Sequence, residues 1–484
     1  MIKDVTHMNF KKTLQLGLSL LAVFTIAFYA HSDESQTERS QQNMASNKVS
    51  LPALLKGSDD IAARYAELNW FSGNVLLASQ DKVVFHQSYG YTNTAKALKN
   101  SACTRFNIGS IAKHYTAVLV LQLIEDGKLA FDTPLSRFEL DLDDALTQGV
   151  TIEHLLNHQA GFADIFTPEY MADPLSFDTL DKKIALLKDT PRLFEPGTDY
   201  RYSNYGYILL GRIAEMITQK SFATLLDERI FTPIGAKHSS LTRLDNSPCQ
   251  STRYTFTIEG QLAPSLMQEV SGPDGGIEAT APEVYQFYHA LVFTDTLLKH
   301  KGLVFSRYFR VRDNKIVSYG GGTGISAAAE VLVDQGIVIV VLANSDELVA
   351  ERISNRITQL ATTGQFDAIK PPPKHFVYQQ YRTLGPADFK TQFKQQYNDA
   401  QYNTFMGKAL NESALALIRQ GNAQAGLDII ATLIHHYPDA PQVYDSLAFA
   451  HHLLGNAQQA RDAFQQALAI RADFNSDYHP TNYH

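Results

Sequence analysis

The residues with the clearest potential for chemistry are a serine and a lysine three positions apart, Ser110 and Lys113. A serine hydroxyl is a weak nucleophile unless a neighbouring base takes its proton. Residues three apart share one face of a helix, so the amine would lie one turn from the hydroxyl. Lysine acts as a base where burial or a nearby cation lowers its pKa. Because Ser110 opens a predicted helix, its own N–H is expected to point at a developing oxyanion.

This spacing alone does not identify a catalytic pair. Ser79 and Lys82 repeat it in a predicted hairpin turn, where no helix would align the two side chains. A serine at the start of a helix is also a common N-cap. The hypothesis for Ser110 therefore depends on what accompanies it.

A second element contains Tyr202 and Asn204, between a turn at Pro196 and a predicted helix. A tyrosine hydroxyl beside the serine–lysine pair could relay a proton to the leaving group. The asparagine amide could anchor both the lysine and the substrate. Tyr91 and Asn93 repeat the pattern at a strand end, without the rigid turn.

A third element is the glycine-rich stretch that begins at Tyr319 and includes Gly321 and Gly322. Glycines allow an edge strand to approach a substrate closely. A backbone N–H here could complete an oxyanion hole with that of Ser110. We therefore assign Tyr319, Gly321 and Gly322 to substrate binding, although such a stretch taken alone could equally be a turn.

The surrounding segments mix strands and helices. The pattern predicts strands over residues 71–78, 83–91 and 336–343 and helices over residues 111–125 and 205–217. Two early strands, a helical middle and late strands predict an α+β domain whose sheet joins both ends of the segment.

The three elements, in this order, resemble the serine β-lactamase-related family. That family includes class C β-lactamases, D-alanyl-D-alanine carboxypeptidases, D-aminopeptidases and small-ester esterases. The resemblance runs from about Phe71 to Asn344 and includes FNIGSIAKHYTAVLVLQLIEDGKLAFDTPL, TIEHLLNHQAGF and EPGTDYRYSNYGYILLG. It implies a β-lactamase/transpeptidase-like fold, an antiparallel sheet flanked by helices with a helical subdomain.

The resemblance also implies roles for the candidate residues. Ser110 would be the acyl-accepting nucleophile, Lys113 its base partner, Tyr202 the proton shuttle and Asn204 a substrate anchor. The segment His158 to Gly161 matches a structural His-x-x-Gly element, for which we expect a scaffold role.

The third element departs from the family pattern, which usually begins with Lys, His or sometimes Trp. Tyr319 fills that place if the turn is one residue short, and Ser318 fills it without a gap. Neither is a cation that could hold a substrate carboxylate. The departure weakens a β-lactamase hypothesis, favours an ester or neutral amide substrate, and leaves open a degenerate, non-catalytic copy.

Composition excludes several classes of protein. The chain has 484 residues, 42 Lys+Arg against 50 Asp+Glu, and a formal net charge of −8. With no basic block to neutralise phosphates, nucleic acid is excluded as a partner. Cys103 and Cys249 are too few for a disulfide framework or a cysteine zinc site, and the sequence does not show whether they lie close enough to pair. We expect no cofactor and no metal.

The N-terminus has the pattern of an export signal. Lys11 and Lys12 precede an uncharged run over residues 13–30, and polar residues follow. This predicts a signal peptide or an uncleaved inner-membrane anchor over residues 1–30, with a buried helix as the alternative. A linker over 31–50 and a hydrolase domain over 51–365 would follow, placing the protein in the periplasm.

Beyond this domain, Pro371 to Pro373 mark a linker over residues 366–386. Gly421-Asn-Ala-Gln recurs at Gly455, 34 residues later. The period and the alternation of small and large residues resemble tetratricopeptide repeats, which we assign to residues 387–475. Residues 476–484 form a tail. The alternative is an unrelated helical hairpin.

The leading hypothesis is an exported serine hydrolase that forms an acyl-enzyme on a small ester, a D-amino-acid peptide or a β-lactam-like substrate. The repeats would bind a protein partner or give intramolecular support to the hydrolase domain. The alternative is a catalytically silent binding module of the same fold. The intact set of Ser110, Lys113, Tyr202 and Asn204 favours the enzyme.

Overall fold

The computed structural model describes residues 49–265, 268–304, 307–309, 311–476 and 478. The described chain forms two compact units, one of residues 49–256 and 262–369 and one of residues 257–261 and 370–478. The predicted signal or anchor over residues 1–30 lies outside the described residues. Among those described, no helix combines the length and the apolar character needed to cross a bilayer.

The larger unit is organised around a five-stranded sheet in the order β2-β1-β11-β10-β9, with antiparallel neighbours throughout. Three two-stranded sheets accompany it, β3–β4, β5–β8 and β6–β7. The strand bounds are β1 Gly73–Ser79, β2 Lys82–Tyr89, β3 Tyr91–Asn93, β4 Leu98–Lys99, β5 Phe106–Asn107, β6 Tyr254–Phe256, β7 Leu262–Pro264, β8 Glu278–Ala279, β9 Lys315–Gly322, β10 Ile325–Leu332 and β11 Ile337–Ala343.

Helices cover the sheet and fill the long segment between β5 and β8. Their bounds are α1 Leu51–Glu67, α2 Ala112–Glu125, α3 Asp144–Thr147, α4 Ile152–Leu156, α5 Pro168–Ala172, α6 Leu180–Ala185, α7 Asn204–Thr218, α8 Phe222–Leu226, α9 Thr232–Ile234, α10 Ala281–Phe293, α11 Lys301–Val304 and α12 Val349–Thr363.

Both faces of the sheet are buried, which explains the continuous apolar runs of β1 and β11. Alternate residues such as Val75 and Val341 pack with α1 and α12 on one face. Their neighbours, such as Leu76 and Val340, pack with α2, α7 and α10 in the larger core on the other face. The helical segment that carries the candidate residues therefore lies on this second face.

The first and last long strands of the unit pair with each other. β1 runs antiparallel to β11, with Gly73 opposite Ala343 and Ser79 opposite Ile337. This confirms the prediction of an α+β domain whose sheet joins both ends of the segment.

The two cysteines, which the sequence left unassigned, form a disulfide. Cys103 is bonded to Cys249, 146 residues further along the chain. The backbones meet beside it, because the N–H of Arg105 donates to the Cys249 carbonyl at 2.7 Å. The bridge therefore joins the segment that leads into β5 to the segment that precedes β6.

The smaller unit is helical. Its helices are α13 Pro373–Asp399, α14 Met406–Arg419, α15 Ala423–His436, α16 Pro441–Leu453 and α17 Ala457–Ile470. α13 is two helices joined at Gly385, whose φ is +75°. α14 packs on α15, and α16 packs on α17.

The two hairpins of this unit are similar in detail. Gly421 and Gly455 occupy equivalent connections, with φ of +85° and +75°. In the first hairpin, a Cβ on Gly426 would stand 2.8 Å from the Ala414 carbonyl oxygen, so a small residue is needed for close packing. A helical C-terminal region is thus confirmed, whereas its identity as tetratricopeptide repeats stays a prediction.

Candidate active site

Ser110 lies in a single 3₁₀ turn, Gly109–Ile111, that leads directly into α2. Gly109 adopts φ +51°, a conformation that favours glycine. Its N–H donates to the Oδ1 atom of Asn107 at 2.8 Å. This bond fixes the turn at the position before the serine, and it fixes the direction in which the Ser110 side chain leaves the backbone.

The Ser110 hydroxyl lies between two candidate proton acceptors. Its Oγ atom is 2.7 Å from the Tyr202 hydroxyl and 3.1 Å from Lys113 Nζ. Tyr202 is 92 residues away in sequence, whereas Lys113 is one helical turn away. The structure therefore brings together the nucleophile, base partner and proton shuttle of the sequence hypothesis.

Lys113 is buried, with a side chain 4% exposed. Besides Ser110, its amine contacts two carbonyl oxygens, Oδ1 of Asn204 at 2.7 Å and the main-chain oxygen of Asp274. A carbonyl oxygen only accepts hydrogen bonds, so a neutral amine would direct its two hydrogens at these oxygens. Its lone pair would then face the Ser110 hydroxyl, which is the geometry required of a base.

The predicted scaffold element, His158 to Gly161, holds the segment that carries Tyr202. The His158 ring is tilted over the Tyr202 ring, with centroids 4.5 Å apart. Its main-chain oxygen accepts from Arg201 N at 2.9 Å. Gly161 has φ +81°, and a Cβ there would meet the Phe194 carbonyl oxygen at 2.1 Å. Only glycine fits this position without displacing the neighbouring backbone.

Asp164 is a site residue that the sequence reasoning missed. Its Oδ1 atom accepts from both the backbone N–H and the side-chain amide of Asn204, at 3.1 and 2.9 Å. Burial raises the pKa of Asp164 above its usual range, against the opposing effect of these hydrogen bonds and of the Lys113 charge. Its position three residues after Gly161 was the available signal, but nothing in the sequence names its partner.

The turn that supplies the Asp274 carbonyl was also missed. The Lys183 amine, on a side chain 2% exposed, donates to the Val270 carbonyl at 2.8 Å and lies 3.8 Å from an Asp274 carboxylate oxygen. The Thr116 hydroxyl donates to the Pro273 carbonyl at 2.6 Å. A buried lysine on α6 and a threonine on α2 therefore hold this turn against Lys113.

The third element approaches Ser110 through its backbone. A Cβ on Gly320 would stand 1.9 Å from the Ile108 carbonyl oxygen, and a Cβ on Gly109 would stand 3.0 Å from Gly321 N. β9 is an edge strand of the sheet, so one of its sides is not paired with another strand. Gly321 is thus brought beside the nucleophile turn, with Gly322 next to it on the same strand.

The Tyr319 side chain, in contrast, is not brought to Ser110. Its hydroxyl lies 3.2 Å from Oε1 of Glu330 and from Oδ1 of Asn355 on α12, on the opposite face of the sheet. Successive side chains of a strand point to opposite faces, so Ser318 is directed at the helical layer. There Ser318 is buried, 5% exposed, on the side of the sheet covered by α10.

Metal chemistry has no obvious ligand set here. Among the described residues, no three His, Cys, Asp or Glu side chains are grouped so that they could hold a metal ion. The groups that the structure places around Ser110 Oγ are the Lys113 amine and the Tyr202 phenol.

Comparison with known proteins agrees with this arrangement. The chain matches the family described as Beta-lactamase over residues 61–363, which is more than half of its length. The chain belongs to the beta-lactamase family.

Two curated relatives of this chain are named as penicillin-binding proteins. One, penicillin-binding protein 4* of Bacillus subtilis (strain 168), is 28% identical over 281 residues, 53% of this chain and 60% of the relative. The other, penicillin-binding protein 4 of Amycolatopsis lactamdurans, is 32% identical over 218 residues, 42% of this chain and 53% of the relative. The chain thus covers less than two thirds of the length of either one.

The fold is also shared with solved structures. A penicillin-binding protein from Bacillus halodurans superimposes with a TM-score of 0.55 at 26% identity, covering 62% of this chain and 99% of that one. The family resemblance and the β-lactamase/transpeptidase-like fold class predicted from the sequence are therefore confirmed. Of the two residues that the sequence left open for the start of the third element, Tyr319 lies on the face of α12, and Ser318 lies on the opposite face.

Proposed function

We propose that this member of the beta-lactamase family is a serine hydrolase that acts through an acyl-enzyme on Ser110. One observation carries the proposal. The Ser110 Oγ atom lies within hydrogen-bonding distance of both Tyr202 OH and Lys113 Nζ, at 2.7 and 3.1 Å. A nucleophile activated by an adjacent base and a second proton-transfer group is the arrangement that covalent acyl transfer requires.

In the acylation step, the Ser110 proton passes to Lys113, directly or through Tyr202, as Oγ attacks the substrate carbonyl carbon. The negative charge on the carbonyl oxygen is stabilised by the N–H groups of Ser110 and Gly321. The tetrahedral intermediate collapses, the bond to the leaving group breaks, and the Tyr202 hydroxyl gives the departing oxygen or nitrogen its proton. The product of this half is an ester on Ser110.

In the second step, a water molecule loses a proton to the Tyr202–Lys113 pair as it attacks the ester. The intermediate collapses with cleavage of the bond to Oγ, and Ser110 recovers its proton. The acid product then leaves. The same groups act in both halves, so no additional base is required.

The charge of the site favours an ester or a neutral amide over a carboxylate-bearing substrate. From Ser318 to Gly322, strand β9 contains no Lys, Arg or His. Aligned without a gap, the position where the family usually has a cation holds Ser318, which is neutral and buried. A substrate carboxylate would therefore gain no charge-assisted hydrogen bond from the side chains of residues 318–322.

We also propose that the protein is exported to the periplasm and that its C-terminal helices bind a protein partner. The basic and apolar pattern of residues 1–30 supports export. The Cys103–Cys249 disulfide supports it as well, since disulfides form and persist in oxidising compartments. Similarity between the two helical hairpins supports a repeat-type binding surface.

Labelling with a fluorophosphonate probe tests the central proposal. We expect the wild-type chain to be labelled and Ser110→Ala not to be. Ser79→Ala is the matched control, because Ser79 and Lys82 have the same spacing in a hairpin turn. Labelling that survives Ser110→Ala would refute the assignment.

A substrate panel then separates the candidate activities. We expect turnover of short p-nitrophenyl esters to exceed that of D-Ala-D-Ala peptides and of a chromogenic cephalosporin, which carry carboxylates. If no compound is turned over and the probe does not react, while a cell-wall or lipid-like ligand binds, the chain is instead a silent binding module.

A further inference from the structure

The carboxylate of the loop residue Asp164 accepts several hydrogen bonds through a single oxygen atom. It lies between α4 and α5, and its Oδ1 atom accepts three N–H groups, from Ile165 at 2.8 Å, from Asn204 N at 3.1 Å and from Asn204 Nδ2 at 2.9 Å. Two of the three donors belong to one residue. Asp164 therefore binds both the backbone N–H and the side-chain NH₂ group of Asn204.

These bonds determine which way the Asn204 amide points. An asparagine amide has a donor end and an acceptor end that differ little in shape. With Nδ2 directed at Asp164, the Oδ1 atom must face the other way, and there it accepts from Lys113 Nζ at 2.7 Å. The reversed amide would lose both hydrogen bonds, the one from Asn204 Nδ2 to Asp164 and the one from Lys113 Nζ to Asn204 Oδ1.

The neighbouring contacts make this arrangement rigid. The Ser203 hydroxyl donates to the Ala163 carbonyl at 2.6 Å, so the segments containing Asp164 and Asn204 are tied at adjacent positions. Asn204 is the first residue of α7, where backbone N–H groups lack helical partners. Asp164 supplies one such partner from outside the helix.

We propose that Asp164 is a positioning residue that acts through Asn204 on Lys113. It sets the amide orientation that gives the lysine its carbonyl acceptor, and thereby directs the lysine lone pair at Ser110. The inference rests on the proposed acyl-enzyme function but assigns a role that the function itself does not require. Oδ1 accepts hydrogen bonds whether or not the carboxyl group is protonated, so the role depends on the acceptor atom.

The test measures kcat and KM for p-nitrophenyl acetate in the full chain. We expect Asp164→Ala to lower kcat by about 10–100-fold, as small misplacements of catalytic groups do, with little change in KM. Asp164→Asn keeps the Oδ1 acceptor, and we expect it to stay within about fivefold of wild type. Asp173→Ala, which changes an exposed aspartate directly after α5, is the matched control and should leave both parameters unchanged.

A double-mutant cycle with Asn204→Ala separates positioning from general support of the loop. If Asp164 acts through Asn204, adding Asp164→Ala to Asn204→Ala should cause no further loss of kcat. Losses that multiply in the double variant overturn the proposal. So does wild-type activity in Asp164→Ala, or a loss in Asp164→Asn as large as that in Asp164→Ala.

Replacement variants and a parallel measurement of Ser110→Ala cover the case in which Asp164→Ala does not fold. Where Asp164→Ala unfolds at the assay temperature, as judged by circular dichroism, Asp164→Leu fills the volume and takes its place in the cycle with the same expectations. Should both unfold, Asp164→Asn enters the cycle, and a multiplicative loss still overturns the proposal. Ser110→Ala is measured in parallel. Turnover that survives Ser110→Ala refutes the proposed function, whereas its loss together with a multiplicative cycle refutes the positioning role alone.

Discussion

Gly320 lies directly against the backbone of Ile108, so close that a Cβ on the glycine would fall 1.9 Å from the Ile108 carbonyl oxygen. The contact sets the distance between strand β9 and the turn that carries the nucleophile. The N–H groups assigned to the oxyanion hole, those of Ser110 and Gly321, lie on the two segments that this contact brings together.

Gly320→Ala should therefore damage both stability and activity. The added methyl group meets a main-chain atom that has no freedom to rotate away, so we expect a loss of about 1–3 kcal/mol in unfolding free energy. Displacement of β9 should also lower kcat/KM for p-nitrophenyl acetate by about 100-fold. Urea unfolding and steady-state kinetics measure the two effects.

Gly321→Ala is the matched control for stability. A Cβ at this position would be 3.6 Å from Cδ2 of Leu348, an ordinary contact with a side chain. We expect its unfolding midpoint to stay near that of wild type. Equal destabilisation by the two substitutions would mean that the contact with Ile108 does not limit the spacing.

Tyr202→Phe should separate proton transfer from packing. The ring remains over His158, with which it now has a centroid distance of 4.5 Å, but the hydroxyl that contacts Ser110 is lost. We expect kcat/KM to fall by about 10²–10⁴-fold with an unchanged melting temperature. Tyr200→Phe is the control, because Tyr200 also contacts the His158 ring but is 56% exposed. Comparable activity losses in both variants would contradict the shuttle role.

Removing the disulfide should affect stability more than chemistry. A double variant, Cys103→Ser with Cys249→Ser, loses a link between residues 146 apart, and we expect about 2–5 kcal/mol less unfolding free energy. The backbone bonds from Arg105 N to Cys249 O and from Ser251 N to Arg105 O remain, at 2.7 and 3.1 Å. Activity at low temperature should therefore persist. Denaturant curves that coincide with and without dithiothreitol would refute the expectation.

Glu269 should give the fold a pH dependence that a glutamine removes. Burial raises the pKa of Glu269, and the charge of Asp274 acts in the same direction while Arg253 opposes it. The folded state then binds the proton more tightly than the unfolded chain, so this residue lowers stability as pH rises above the unfolded value of about 4.3. The melting temperature of Glu269→Gln relative to wild type should increase through this range and then level off.

The exposed Glu139 provides the control for that comparison. Glu139→Gln, measured beside it, shows the effect of exchanging an exposed glutamate for glutamine. A Glu269→Gln difference that is flat, or that shrinks as pH rises, would show that burial does not dominate at this carboxyl group.

Sequence reasoning located the parts of the site that local geometry controls. Ser110 and Lys113 face each other because their spacing matches one helical turn. Tyr202 and Asn204 were recognisable because a turn and a helix start flank them. Asp274 was not recognisable from the sequence, because it contributes a main-chain oxygen and every residue type carries one.

The side chain of Tyr319 shows a different limit. Successive side chains of a strand point to opposite faces of the sheet. A shift of one position in the alignment therefore decides which residue, Ser318 or Tyr319, is assigned to the face of the nucleophile turn. Composition did not decide between Tyr319 and Ser318. The contact of Gly320 with Ile108 favours Ser318, because it fixes the register of β9 against the nucleophile turn.

The pairing of β1 with β11 has a consequence for biosynthesis. A ribosome makes β1 early and β11 more than two hundred residues later, yet β11 is the strand that connects β1 to β10 and β9. Until it emerges, the nascent chain has no sheet on which Ser110 and Gly321 can meet. A growing polypeptide therefore lacks the assembled site, and under the proposed function we expect hydrolysis only after β11 has been synthesised.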